Sequence, residues 1–153
     1  MHVILYQPEI PPNTGNIIRL CANSGVSLCL VKPLGFAWDD KRLRRAGLDY
    51  HDLASVALFD SLRDCLAAID ADRVYAFTTK ASRNYADATF SDRSALLFGP
   101  ETRGLPIDVL ESFAPELKLR IPMRSDSRSI NLSNAVAIAA FEALRQQGFP
   151  NAR

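Results

Sequence analysis

Several of the six short β-rich runs in this chain, at residues 3–6, 28–31, 56–59, 74–78, 95–98 and 117–121, are apolar at nearly every position. A strand with one wetted face alternates apolar and polar side chains, whereas a strand covered on both faces need not. Segments with helical spacing separate the runs, such as Ile17, Ile18, Leu20 and Cys21 ahead of Gly25, and Leu62, Cys65, Leu66 and Ile69 after Asp60. The alternation predicts an α/β fold, a mainly parallel sheet flanked by helices. With 153 residues, 48% of them hydrophobic, the chain supplies one core and leaves no room for a second full domain. The expected organisation is a single domain over 1–153.

The last predicted helix, 130–147, adds a second constraint. Ala135, Val136, Ala137, Ile138, Ala139, Ala140 and Phe141 leave its middle almost no polar face, and a helix apolar all round must be covered all round. A domain this small seldom provides that cover alone, so part of the helix is expected to pack against a second subunit. A central core helix is the alternative.

Other features narrow the function by exclusion. A formal net charge of +1 gives no global attraction for nucleic acid, so any RNA contact must use a local patch. Cys21, Cys29 and Cys65 form no CxxC pair, and with only His2 and His51 beside them no metal site is expected. The three cysteines read as reduced, mostly buried thiols. The start of the chain lacks the basic residues and length of a signal peptide, and no apolar stretch suits a bilayer. A cytoplasmic protein away from membranes is expected. The first strand is followed by no GxGxxG, which argues against a nicotinamide enzyme.

Three polar tracts could carry chemistry. The first, Pro11-Pro12-Asn13-Thr14-Gly15-Asn16-Ile17-Ile18-Arg19, joins a strand to a helix, where Asn13 or Thr14 can cap the helix and the N-terminus favours anions. The second, 98–105, follows an apolar strand, where open α/β sheets bind ligands. It holds Glu101 and Arg103, readable as a surface ion pair, between Gly99, Pro100 and Gly104. The third, 121–134, carries four serines and two asparagines at the mouth of the apolar helix. Capping by Ser129 or Asn131 needs only one such residue, which leaves the others for a ligand.

In this order, Asn13-x-Gly15-x-x-x-Arg19, Gly99-x-Glu101-x-x-Gly104-Leu105, and Ile121-Pro122-Met123 through Ser129-x-Asn131-x-Ser133 resemble the three motifs of the SPOUT superfamily of RNA methyltransferases, in its 2′-O-methylating branch. The stretch 35–51 resembles the narrower group that methylates cytidine or uridine at the wobble position, 34, of tRNA. The resemblance implies S-adenosylmethionine as methyl donor, a C-terminal trefoil knot, and a homodimer, formed through the C-terminal helix, whose active site draws on both subunits. It places cofactor contacts at Phe77, Gly99, Ile121 and Ser129. Arg19 is assigned to catalysis, with Asn13, Glu101, Ser129 and Asn131 orienting ribose, cofactor and arginine. Lys41, Arg42, Arg44 and Arg45 form the local basic patch for the tRNA anticodon stem-loop, with Phe36, Trp38 and Tyr50 as stacking candidates.

A guanidinium with a pKa above about 12 is a poor base, so Arg19 is read as an electrostatic clamp, with proton removal aided by phosphate, water or Glu101. Methylation of another tRNA or rRNA ribose, or RNA binding without catalysis, are the competing readings.

Overall fold

The computed structural model describes residues 1–39 and 56–150. Seven strands appear among them: β1 (His2–Tyr6), β2 (Ser27–Val31), β3 (Val56–Phe59), β4 (Arg73–Phe77), β5 (Arg83–Asn84), β6 (Ser94–Phe98) and β7 (Lys118–Arg120). The helices described are α1 (Pro11–Ser24), α2 (Leu62–Ala68), α3 (Ile107–Glu111) and α4 (Leu132–Gln146). The strands form one sheet in the order β3-β2-β1-β6-β4-β7-β5, with every pairing parallel.

Parallel strands joined by helical crossovers are buried on both faces, which explains the continuous apolar runs. Side chains of alternate parity divide between two cores. Val3, Leu5, Leu28, Leu30, Leu96 and Phe98 meet Ile17, Ile18 and Cys21 of α1 and Val136, Ala139, Ala140 and Ala143 of α4. On the opposite face Ile4, Cys29, Val31, Ala95 and Leu97 meet Cys65 of α2, with Leu105 and Leu110. Each fully buried aliphatic side chain contributes about 1.5–3 kcal/mol. The register is therefore firmly set, because a one-residue slip would exchange the two cores.

The helix ends have local causes. Pro11 and Pro12 occupy the first turn of α1, where a missing N–H costs no helical bond. At its far end Gly25 takes a left-handed conformation, φ 71°, and donates to the Cys21 carbonyl. Ser61 caps α2 by accepting from the Asp64 N–H at 3.1 Å. Asn131 caps α4 by accepting from the Ser133 and Asn134 N–H groups.

One expectation and one alternative need correction. Neither Asn13 nor Thr14 caps α1; the N-cap is Ile10, and both residues lie inside the first turns. The prolines start the helix earlier than the polar residues suggested. The second concerns the apolar helix, which is not a central core helix. Leu132, Val136, Ala139, Ala140, Ala143 and Leu144 are buried, but Ile138 and Phe141 on the outer side are 37% and 48% exposed. The domain thus covers one face of α4 only. The three cysteines are free and buried, and burial pushes the Cys21 thiol up to about 12.

Candidate active site

Because the strands are parallel, β4, β6 and β7 end on one rim of the sheet, the usual place for a ligand in an open α/β fold. The segments leaving those ends surround a cavity of about 780 Å³. Its floor includes Phe77 and Phe98, whose rings stack with centroids 4.6 Å apart at the ends of β4 and β6. Gly99 follows at once. A Cβ there would lie 2.2 Å from the Leu105 nitrogen and 2.4 Å from the Gly104 carbonyl carbon, so only glycine lets the turn 99–105 close on itself. Gly104 adopts φ 69°, a left-handed conformation natural to glycine, and donates to the Pro100 carbonyl at 2.9 Å.

The three polar tracts meet beside this cavity through a hydrogen-bonded chain. Asn131 Nδ2 donates to Asn13 Oδ1 at 2.9 Å, and Asn13 Nδ2 donates to Glu101 Oε1 at 3.1 Å. The Glu101 carboxylate also accepts from the backbone N–H of Glu9 at 2.8 Å and of Ile10 at 3.2 Å. A carboxylate at a helix start takes up donors the helix cannot satisfy and favours the positive end of its dipole. Asn13 is 6% exposed with both ends of its amide engaged. These bonds orient it unambiguously.

Glu101 does not pair with Arg103, contrary to the ion pair read from the sequence. Arg103 Nη2 donates to Gln7 Oε1 at 2.7 Å, and Nη1 approaches Glu9 Oε1 at 3.4 Å. Glu9 Oε2 accepts from the Thr102 hydroxyl at 2.6 Å and its N–H at 3.1 Å. Those bonds hold the Glu9 carboxyl below its ordinary range, the Thr102 hydroxyl contributing most and Arg103 adding to it. Glu9 and Gln7 were missed as site residues because their partners lie more than ninety positions away. The nearest signal was the stiff Gln7-Pro8-Glu9 segment itself.

Phe77, Gly99, Ile121 and Ser129 line the cavity together with Asn13, Glu101 and Asn131. Lys80, Arg103 and Arg128 add positive charge along the same lining. Arg19 is not among the lining residues; it is exposed on α1. Trp38 is partly buried and packs against the core, which favours a structural role over stacking on a base. Lys41, Arg42, Arg44, Arg45 and Tyr50 lie outside the described residues. Among the described residues, no group of three or more His, Cys, Asp or Glu side chains could hold a metal ion, and no helix is long and apolar enough to cross a membrane.

A family model described as the SpoU rRNA Methylase family matches residues 1–141. The chain is 54% identical over 152 residues to the tRNA (cytidine(34)-2′-O)-methyltransferase of Escherichia coli (strain K12), covering 99% of this chain and 97% of that protein. A solved structure from work on "the 2-OH methylation of C/U34 on tRNA" is similar with a TM-score of 0.86 and 45% identity, covering 96% of this chain and 95% of that one. An AdoMet-bound rRNA methyltransferase from Sinorhizobium meliloti is similar with a TM-score of 0.76 and 26% identity, over 94% of this chain and 55% of that one.

Proposed function

The chain belongs to the SpoU rRNA Methylase family, and we propose that it transfers a methyl group to the ribose 2′-hydroxyl of the wobble nucleotide of tRNA, cytidine or uridine 34. The observation that carries this reading is the Glu101–Asn13–Asn131 chain of hydrogen bonds, which gathers three distant tracts beside one cavity in a protein so similar to a relative named for that reaction.

S-adenosylmethionine is the donor, and the residues present suit it. A cavity of about 780 Å³ lies within the roughly 300–1,000 Å³ usual for cofactor sites. Phe77, Leu105 and Ile121 offer apolar walls for a ring, while the backbone at Gly99 and the Ser129 hydroxyl offer polar contacts. When bound, the cofactor supplies the methyl group and the leaving thioether.

The protein's share of the rate is positioning. In-line placement of oxygen and methyl can lower the barrier by roughly 7–11 kcal/mol. Asn13, with its amide fixed between Glu101 and Asn131, sets the ribose side of the site. Glu101 is already engaged by N–H donors from three residues, which suits it to organising the site better than to taking the hydroxyl proton. Phosphate or water takes that part. Arg19 acts as an electrostatic clamp, reaching from α1 of one subunit toward the cavity of its partner. The homodimer that this requires forms through the uncovered Ile138 and Phe141 side of α4.

The chain after β7 returns across the sheet to α1, bringing Asn131 to Asn13; this return supports reading the C-terminal part as a trefoil knot. Lys41, Arg42, Arg44 and Arg45 hold the anticodon stem-loop, so the single domain binds RNA without an added module. The enzyme works in the cytoplasm, where its tRNA substrate is.

Two measurements test the reading. In cells lacking the protein, ribose methylation at nucleotide 34 should disappear; a fully methylated position 34 without a redundant enzyme would overturn it. Arg19→Ala should fold and bind S-adenosylmethionine normally yet lose most turnover, and near-normal methylation would remove Arg19 from the mechanism.

A further inference from the structure

The methyltransferase reading gives Glu9 no part, although Glu9 sits at the centre of the junction between the cavity turn 99–105 and the start of α1. Two carboxylates cross this junction in opposite directions. Glu101, on the turn, accepts from the Glu9 and Ile10 backbone N–H groups. Glu9, on the segment leading into α1, accepts from the Thr102 N–H and hydroxyl on the turn. Each segment therefore both gives and receives, as the two partners of a capping box do within one helix. We propose that Glu9 is a positioning residue for methyl transfer: it latches the cofactor-facing turn to the helix that carries Asn13.

Three features make the latch rigid enough for that part. The turn is a short closed unit, with Gly104 bonded to Pro100 and Gly99 packed on Leu105, so a shift at Thr102 moves Gly99 as well. The other side of Glu9 is backed by Gly35, where a Cβ would come within 2.7 Å of the Glu9 Cα, and the Gly35 N–H donates to the Pro8 carbonyl at 2.9 Å. Gln7, with φ 50°, leaves the extended region that a strand end prefers, and its side chain accepts from Arg103. Such backbone persists only where neighbouring contacts hold it. Together these contacts pin the segment on both sides, and Glu9 is the side chain that transmits that fixation to the cavity. Without it the Glu101 bonds and the Gln7–Arg103 bond still join the two segments, but the centre of the turn at Thr102 is no longer held, and the turn can pivot about them.

The inference rests on cofactor binding in this cavity, so the wild-type protein is titrated first with S-adenosylmethionine by calorimetry. Absence of binding there would overturn the functional reading itself. With wild-type binding in hand, Glu9→Ala should raise KM for S-adenosylmethionine by about tenfold, the scale of one lost charge-assisted hydrogen bond. KM for tRNA should stay within about twofold, because only the cofactor wall moves. Glu9→Gln, which keeps an acceptor for Thr102, should recover most of the loss. Thr102→Ala removes the hydroxyl donor alone and should weaken cofactor binding in the same direction, with the double variant no worse than Glu9→Ala. A purely structural role would lower the melting temperature and leave both KM values alone. Wild-type KM for the cofactor in Glu9→Ala, or additive losses in the double variant, would overturn the latch. Should Glu9→Ala fail to fold, Thr102→Ala decides by the same criterion.

Discussion

The two sides of the cavity are built differently. On one side, residues 7–13 and the turn 99–105 are joined by long-range side-chain bonds through Glu9, Asn13, Glu101 and Arg103. On the other, 124–129 is exposed at every position, and the hydrogen bonds described for it are local, from the Ser127 N–H and hydroxyl to the Arg124 carbonyl. Asn131 ties that side down only at its end, where it caps α4 and meets Asn13. The fold has thus fixed one wall in advance, while the other leaves its hydroxyls and cations facing solvent. Ordering such side chains costs about 0.5–1.5 kcal/mol each, a cost that falls on the exposed wall alone. A site that must admit and release both a small molecule and a large RNA is served by that division.

Gly99→Ala is the strongest test of the fixed wall. Its Cβ would meet backbone atoms at 2.2 and 2.4 Å, and backbone cannot move aside as a flexible side chain can. The turn must open, carrying Glu101 away from Asn13. We expect S-adenosylmethionine affinity to fall by about a hundredfold or more, of the order of two hydrogen bonds to charged groups, while circular dichroism still reports the α/β fold. Wild-type affinity in a calorimetric titration of this variant would show that the wall gives way easily, and the contrast between the two sides would collapse.

Ser129→Ala probes the exposed wall and should behave in the opposite way. The side chain is exposed and lies on the cavity lining, so its removal should change stability by less than about 0.5 kcal/mol. Cofactor affinity should drop by about five- to tenfold, the value of one hydrogen bond formed on binding. Denaturant unfolding and cofactor titration of the same sample separate the two effects. A large stability loss with unchanged affinity would mean that this wall, too, is held by the fold.

The same contrast governs what could be read from the sequence. The strands were legible because burial on both faces leaves a mark at every position, as at Ser94–Phe98. β5, only Arg83 and Asn84, left none, because a two-residue polar strand is recruited by the backbone of β7 rather than by its own side chains. Asn131 could be read as one of two candidate caps, since its partners are two and three residues away. The partners of Glu101 and Arg103 could not. Within the turn they look like a pair, yet each bonds across the sheet rim to residues 7–13, and only the packing of β6 beside β1 makes those residues neighbours. The start of α1 misled for a smaller reason, two prolines outweighing a capping signal. Order and composition of the tracts thus pointed to the site, whereas its internal wiring depended on sheet topology.

Acidification should produce the smallest effect on the fixed wall. The Glu9 carboxyl is held below the ordinary 4.5 by the Thr102 hydroxyl and N–H, with Arg103 adding to the pull. The groups facing it are Arg103 and the turn that carries Glu101, whose carboxylate takes the Glu9 N–H. A carboxyl whose folded pKa is depressed lends its stabilisation fully above the unfolded value and loses it as pH falls through the folded one. The junction should therefore be intact at pH 5 and loosen only below about 4.5, slightly, because the group is solvent-screened. The Thr102 amide resonance reports this directly: its shift should titrate with a midpoint below 4.5. A Thr102 midpoint at or above 4.5 would mean that the carboxylate gains nothing from its partners, and the fixed wall would then rest on Glu101 and the Gln7–Arg103 bond.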